Sequence, residues 1–250
     1  MSQETLMKDQ SCRVGAVRNI VFVTFPDVEL IDVCGPFDAF AYANRCFLLT
    51  KKIDGSVYQL AVIAPQAGPL RTSSGLQIVA HHAYSEFDQP IDTLIVAGGD
   101  EGVVRACADA ALIAWITETA KGVRRVASVC TGAFLLAASG LLDSRRVTTH
   151  WGYCTQLASA YPSICVDADR IFVRDGHIYS SGGITAGIDL ALALVEEDLG
   201  RDIARFVARL MVVFLRRPGS QSQFSTYLGF RNRQSARYSR VSGPAPESAG

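Results

Sequence analysis

The stretch SVCTG, residues 128–132, places a cysteine two positions from a small residue on either side, Ser128 and Gly132. The apolar run RRVASV leads into it and AFLLAASGLL follows it. A buried strand turning sharply into a helix lifts its corner side chain above the sheet, and small flanking residues let the backbones pass. The five residues are therefore the cysteine counterpart of a nucleophile elbow. A thiol at a helix N-terminus is expected to ionise below the free value of about 8.5 and to attack electrophilic carbon. The same cysteine would also serve as a small packing residue. Two other features point to the same place. Gly98 and Gly99 could turn backbone N–H groups toward the corner as an anion or oxyanion site. Asp32, a lone carboxylate among apolar neighbours, is expected to have a raised pKa and to act as acid or base, or to serve structurally at the start of a helix.

These residues need a frame. Apolar runs and amphipathic segments alternate from residue 18 to about 216, the pattern of a mainly parallel sheet with crossover helices. Strands are predicted at 19–25, 58–65 and 92–99, and a short one in RRVTTHW. LRTSSGLQIVAHHAYSEF and ICVDADRIFVRDGHIYSSGG are predicted hairpins, the second turning at Asp175-Gly176. Helices are predicted in LIDVCGPFDAFAYANRCF, with Pro36 near its start, in ADAALIAWITETAKG, GYCTQLASAYP and ITAGIDLALALVEEDLG, and in RDIARFVARLMVVFL. Asp32, Gly98–Gly99 and Cys130 all fall at carboxyl ends of predicted strands, where open α/β sheets bind ligands. Residues 1–17 and 218–250 lack such patterning and are expected to be a disordered N-terminus and an irregular tail.

Composition narrows the partners. The 250 residues carry 24 basic and 24 acidic side chains, so no overall field attracts nucleic acid or an anionic membrane. A small molecule or another protein is the expected partner. The opening MSQETLMKDQSC is unlike a secretory signal, and no apolar run approaches the roughly 18 residues of a membrane span. Seven scattered cysteines without a CxxC pair suit a reducing cytoplasm better than a disulfide framework. His81 and His82 lack the neighbours of a metal site, and no dinucleotide or Walker glycine pattern occurs, so neither metal nor cofactor is expected.

Taken together, FPDVELIDVCGPFDAF, DTLIVAGG, RVASVCTGAFLLAASGLL, RRVTTHW and SSGGITAGIDLALALVEEDLGRD resemble the ThiJ/PfpI superfamily, within the class I glutamine amidotransferase-like fold, over residues 18–217. The resemblance implies a flavodoxin-like three-layer α/β sandwich and, commonly, a homodimer. Two branches are similar. In isonitrile hydratase an Asp of the first strand-to-helix segment works with an elbow Cys-Thr, which implies catalytic roles for Asp32, Cys130 and Thr131. The other branch is the sensing domain of AraC/XylS-type transcription regulators, whose likeness extends through VEEDLGRDIARFVARLMVVFLRRPGSQSQFS. Such regulators continue into paired helix-turn-helix units. This chain instead runs into an irregular basic tail, which puts direct nucleic-acid binding in doubt.

The longer likeness favours a small-molecule-sensing domain of regulator ancestry, with a hydratase-like lyase as the alternative and a peroxide-sensing thiol as a third reading. Peptidase relatives carry His directly after the elbow cysteine; Thr131 occupies that place and argues against proteolysis. His150 either lines the pocket or orients the thiol, or else is a hydrogen-bonded core residue. Gly183 and Thr185 either line the same cleft or serve as a turn and a helix cap. Trp151 is expected as an aromatic wall or a dimer contact.

Overall fold

The computed structural model describes residues 17–51 and 55–225. Its centre is a seven-stranded sheet. In chain order the strands are β1 (Arg18–Val23), β2 (Tyr58–Ala64), β5 (His82–Ala83), β6 (Thr93–Val96), β7 (Arg125–Val129), β10 (Phe172–Asp175) and β11 (Ile178–Ser181). They lie in the order β10-β11-β7-β6-β1-β2-β5, and every pair is parallel except β10 with β11 at one edge. Two small ribbons stand apart: β3 (Gly68–Arg71) pairs antiparallel with β4 (Gln77–Ala80), and β8 (Arg146–Val147) pairs parallel with β9 (Cys165–Val166).

β6 and β7 are buried along their whole length, as continuous apolar runs in the middle of a parallel sheet must be. The helices α1 (Leu30–Lys51), α6 (Ala186–Leu199) and α7 (Arg201–Leu210) pack on one another. A second group is formed by α2 (Asp100–Ala108), α3 (Ala110–Ala120) and α4 (Ala133–Ala138). The result is the expected flavodoxin-like three-layer arrangement. α5 (Cys154–Ala160) and the short α8 (Ser222–Ser225) complete the described chain. No helix among the described residues is long and apolar enough to cross a membrane.

Several local expectations are corrected. Pro36 lies inside α1, seventh of its 22 residues. Lacking an N–H, it leaves the Asp32 carbonyl without a helical donor. Its ring packs closely on Gly187 of α6, where an added Cβ would sit 3.0 Å from Pro36 Cγ. The hairpin β10–β11 turns through Gly176 and His177, because Asp175 is still paired with Ile178. β9 pairs outside that hairpin. α7 ends at Leu210, short of the predicted run through Leu215. α2 was not anticipated: DEGVVRACA is short and charged, and only Gly102, Val103 and Ala106 are buried in it. Of 218–250, residues 218–225 are described, and there Gln221 is buried against the domain. The remainder of that stretch, and residues 1–16, lie outside the described residues.

Candidate functional site

The strand β7 ends at Val129, and the next residue, Cys130, takes φ +57°, a left-handed value that a side chain adopts at a cost of about 1–3 kcal/mol. A short 3₁₀ turn, Cys130–Gly132, leads into α4. Gly132 is required by close approach, since an added Cβ would lie 2.3 Å from the Val96 carbonyl oxygen of the neighbouring strand. Ser128 is buried in register with Ser180 across the β7–β11 pair. The corner is clamped from two sides. A Cβ on Gly98 would lie 2.8 Å from Cys130 Cβ, and one on Gly183 would lie 2.1 Å from it. Gly183 itself has φ +80°. Thr149 Oγ1 donates to the Cys130 carbonyl at 2.7 Å.

Asp32, in the first turn of α1, lies directly against this corner and has no exposed surface. Its carboxylate accepts from the Gly98 N–H at 3.2 Å and the Ile184 N–H at 2.6 Å, and a Cβ added at Gly98 would lie 2.7 Å from its Oδ2 and 2.8 Å from Cys130 Cβ, so the carboxylate and the thiol side chain are neighbours. Ile184, with φ +53°, is a second left-handed residue at the site, and a β-branched one. Burial, which outweighs the Ile184 and Gly98 hydrogen bonds, raises Asp32 from the usual carboxylate range to about 7; Glu29 adds to the rise. Burial first, and then the Asp32 charge, push the Cys130 thiol well above its ordinary value.

That reverses the expected direction for the thiol. A helix end contributes at most about 2 kcal/mol in partly buried sites, whereas full burial can move an ionisable group by roughly 3–5 pH units. The helix α4 behind Cys130 is only six residues long. Burial therefore favours the protonated form of the sulfur, beside a carboxylate whose pKa the same burial raises.

The oxyanion expectation for the two glycines is corrected as well. Gly98 N–H is committed to Asp32, and Gly99 N–H donates to Thr131 Oγ1 at 2.9 Å. Thr131 Oγ1 in turn donates to the Gly99 carbonyl at 3.0 Å, so this hydroxyl locks the loop after β6 to the corner. Thr185 stands at the N-cap position of α6, as expected, but its side chain makes no capping bond. Its own backbone is helical, and its Oγ1 accepts from Arg217 Nη2 at 3.1 Å.

A cleft of about 310 Å³ opens over Cys130 and Thr131. Gly99, Ile184, His150 and the Trp151–Tyr153 turn wall it, with Glu29 and Asp100 on its rim. Asp32 has no exposed surface and lies outside this lining, behind Cys130 and Ile184, which are part of it. Tyr153 donates its hydroxyl to Asp100 Oδ1 at 2.7 Å. His150 accepts from Gly152 N–H on Nδ1 at 3.2 Å, its ring lies 5.2 Å from that of Trp151, and burial lowers its pKa despite Asp100. It is half-buried, lines the cleft and accepts a hydrogen bond within its own turn; among the described residues no hydrogen bond joins it to the Cys130 thiol. Gly183 and Thr185 line a second, smaller cavity of about 210 Å³ that shares His150, Trp151 and Ile184 with the first. No group of three or more His, Cys, Asp or Glu among the described residues is placed to hold a metal ion.

Sequence reasoning thus picked out Cys130, Asp32, Thr131 and His150, and the fold brings them together. It missed Ile184, Glu29 and Asp100, which also line the cleft. For Ile184 the available signal was the pair of glycines before it, which mark a backbone that must fold tightly.

Three comparisons place this geometry among known proteins. The chain is 36% identical over 188 residues to isonitrile hydratase of Pseudomonas putida, covering 75% of each chain. It is also 36% identical over 152 residues to the HTH-type transcriptional regulator GlxA of Rhizobium meliloti, covering 61% of this chain and 46% of that one, so it spans about half of the regulator. In structure it is similar to a ThiJ/PfpI family protein from Pseudomonas syringae, with TM-score 0.69, 23% identity and coverage of 86% of this chain and 85% of that one. Residues 18–197 match the DJ-1/PfpI family, to which the chain belongs.

Proposed function

We propose that the chain is a small-molecule-sensing domain of AraC-type regulator ancestry, and that a ligand held in the cleft over Cys130 shifts a contact with another chain or domain. The observation that carries this reading is the walled cleft of about 310 Å³ that has Cys130 in its lining; burial, which raises the thiol, disfavours the thiolate a nucleophile needs. Such a site is prepared to bind, with the buried sulfur as part of its floor. The likeness to GlxA supports the regulator ancestry. A homodimer in the cytoplasm is the form we propose; the described cysteines are all free, and sedimentation at twice the chain mass tests the dimer.

Thermal scanning against a panel of small polar metabolites tests the sensing. A ligand at 100 times its Kd adds about 2.7 kcal/mol, or roughly 5–10 °C for a domain of this size. The stabilisation is expected to survive Cys130→Ser. Stabilisation that disappears with the thiol and is accompanied by product would defeat the proposal.

One observation favours a second reading, hydration of an isonitrile to an N-substituted formamide. The Asp32 carboxylate lies beside the Cys130 side chain, and burial raises its pKa to about 7, which suits it to move a proton near neutral pH. In this reading Cys130 Sγ bonds to the terminal carbon while Asp32 takes the thiol proton and returns it to that carbon, giving a thioimidate. Water then adds to the same carbon, the C–S bond breaks, the formamide leaves and the sulfur regains a proton. Formamide production from cyclohexyl isonitrile, compared between wild type and Cys130→Ser, decides it: equal rates remove the reading.

A further inference from the structure

Gln221 follows the last long helix, beyond the residues that match the family. Its side chain is nevertheless buried, and its Nε2 reaches Thr148 Oγ1 at 3.0 Å, the Thr149 carbonyl at 3.0 Å and the Arg170 carbonyl at 2.7 Å. An amide has two N–H groups, so these three acceptors share two donors, a demanding arrangement for a glutamine of purely surface use. Gly182 makes the room: an added Cβ there would lie 2.6 Å from Gln221 Cδ. The main chain of the same segment is held by Gln221 N–H on the Asp169 carbonyl at 2.9 Å and Ser222 N–H on Asp169 Oδ1 at 3.0 Å.

Thr149 bonds to both Gln221 and the Cys130 corner. Its carbonyl accepts from Gln221, and its hydroxyl donates to the Cys130 carbonyl. Two hydrogen bonds through one residue therefore join the segment 220–225 to the strained corner. A second contact runs in parallel. Arg217, Gln221 and Phe224 wall the second cavity, whose opposite wall, His150, Trp151 and Ile184, is also a wall of the cleft over Cys130.

We propose that Gln221 is a positioning residue for the Cys130 corner, and that through Thr149 the hold on residues 220–225 depends on the state of that corner. The link stands on these contacts alone; its use in signalling rests on the sensing function proposed above. An equilibrium coupling acts in both directions, so each end must report on the other. The size expected is that of one neutral hydrogen bond, about fivefold.

The full chain is tested from both ends. From the segment, Gln221→Ala is compared with Ile116→Val, a core substitution in α3 away from the corner. The readout is the pH midpoint of Cys130 alkylation by iodoacetamide, followed by site-resolved mass spectrometry. The sulfur displaces iodide and its proton passes to solvent. The groups facing the thiol are Asp32, Asp100 and Thr131, and burial is the largest influence on it. Loosening the corner admits water, so the midpoint falls by about 0.7 on the pH scale, a fivefold change in ionisation, in Gln221→Ala only. From the corner, Thr149→Val keeps the carbonyl that Gln221 uses and deletes only the hydroxyl. Hydrogen exchange at the Gln221 and Ser222 amides then accelerates about fivefold. A midpoint equal to that of Ile116→Val, or unchanged exchange in Thr149→Val, overturns the link, and so does an effect from one end only. Either result leaves metabolite binding in the cleft untouched, so failure here is distinct from failure of the sensing function.

Discussion

Replacing Asp32 by Asn should change how stability depends on pH. Asp32 is fully buried, and burial raises it from the model-peptide value of 3.8 to about 7. A carboxyl raised in the folded state binds its proton more tightly there than in the unfolded chain. Its contribution is complete below the unfolded value and is lost as pH rises through about 7. Ionising a carboxylate in place costs about 1.4 kcal/mol per pH unit of displacement, so the full loss is roughly 4 kcal/mol. Roughly 2.5 kcal/mol of that falls between pH 5 and pH 8 by the same linkage. Asn has one acceptor oxygen and so cannot accept from both Gly98 and Ile184 on separate oxygens as Asp32 does, which lowers its stability by an offset that does not vary with pH over this range. The quantity to follow is therefore the difference between wild type and Asp32→Asn. Urea denaturation at half-unit steps from pH 5 to pH 8 should show that difference moving by roughly 2.5 kcal/mol in favour of Asn, or roughly 5–10 °C in melting temperature. A gap that stays constant across the range would refute the reasoning, because Asp32 would then ionise alike in the folded and unfolded chains.

Other outcomes follow from the same geometry. Cys130 alkylation should show a pH midpoint above the free-cysteine value of about 8.5, and a midpoint below 7 would mean that the helix end outweighs burial and Asp32. Gly132→Ala sets a Cβ 2.3 Å from Val96 O and 2.8 Å from Ala97 O, both backbone atoms that cannot swing aside, and should cost about 3 kcal/mol or more in urea denaturation. At the opposite end of the sheet Arg125, 3% exposed, meets Asp198, 1% exposed, at 2.7 Å. Arg125→Leu removes one partner of this buried pair and should cost about 3 kcal/mol by the same measurement, even though Arg124 still reaches Asp198.

Much of the fold was legible because its physics is local. The runs that became β1, β6 and β7 are mostly apolar, and those of β6 and β7 end in small residues that mark a sharp turn, so Cys130, Gly98 and Asp32 could be assigned to one end of the sheet. What could not be read depends on atoms distant in sequence. The Gly98 and Gly99 N–H groups looked free, but Asp32 and the Thr131 hydroxyl, 66 and 32 positions away, already occupy them. The thiol was expected to ionise easily from its place before a helix. Its burial and the carboxylate behind it, both products of tertiary packing, reverse that. Gln221 sits in a polar stretch with no periodicity, and nothing local marks it as buried; its acceptors come from Thr148, Thr149 and Arg170.

Isothermal titration of wild type, Cys130→Ser and Trp151→Ala with whichever metabolite stabilises the protein bears most directly on the cleft as the binding site. Binding should persist in Cys130→Ser and weaken at least tenfold in Trp151→Ala, whose missing indole opens one wall. Affinity that is unchanged without the indole would contradict the assignment, since the metabolite would then bind elsewhere on the molecule.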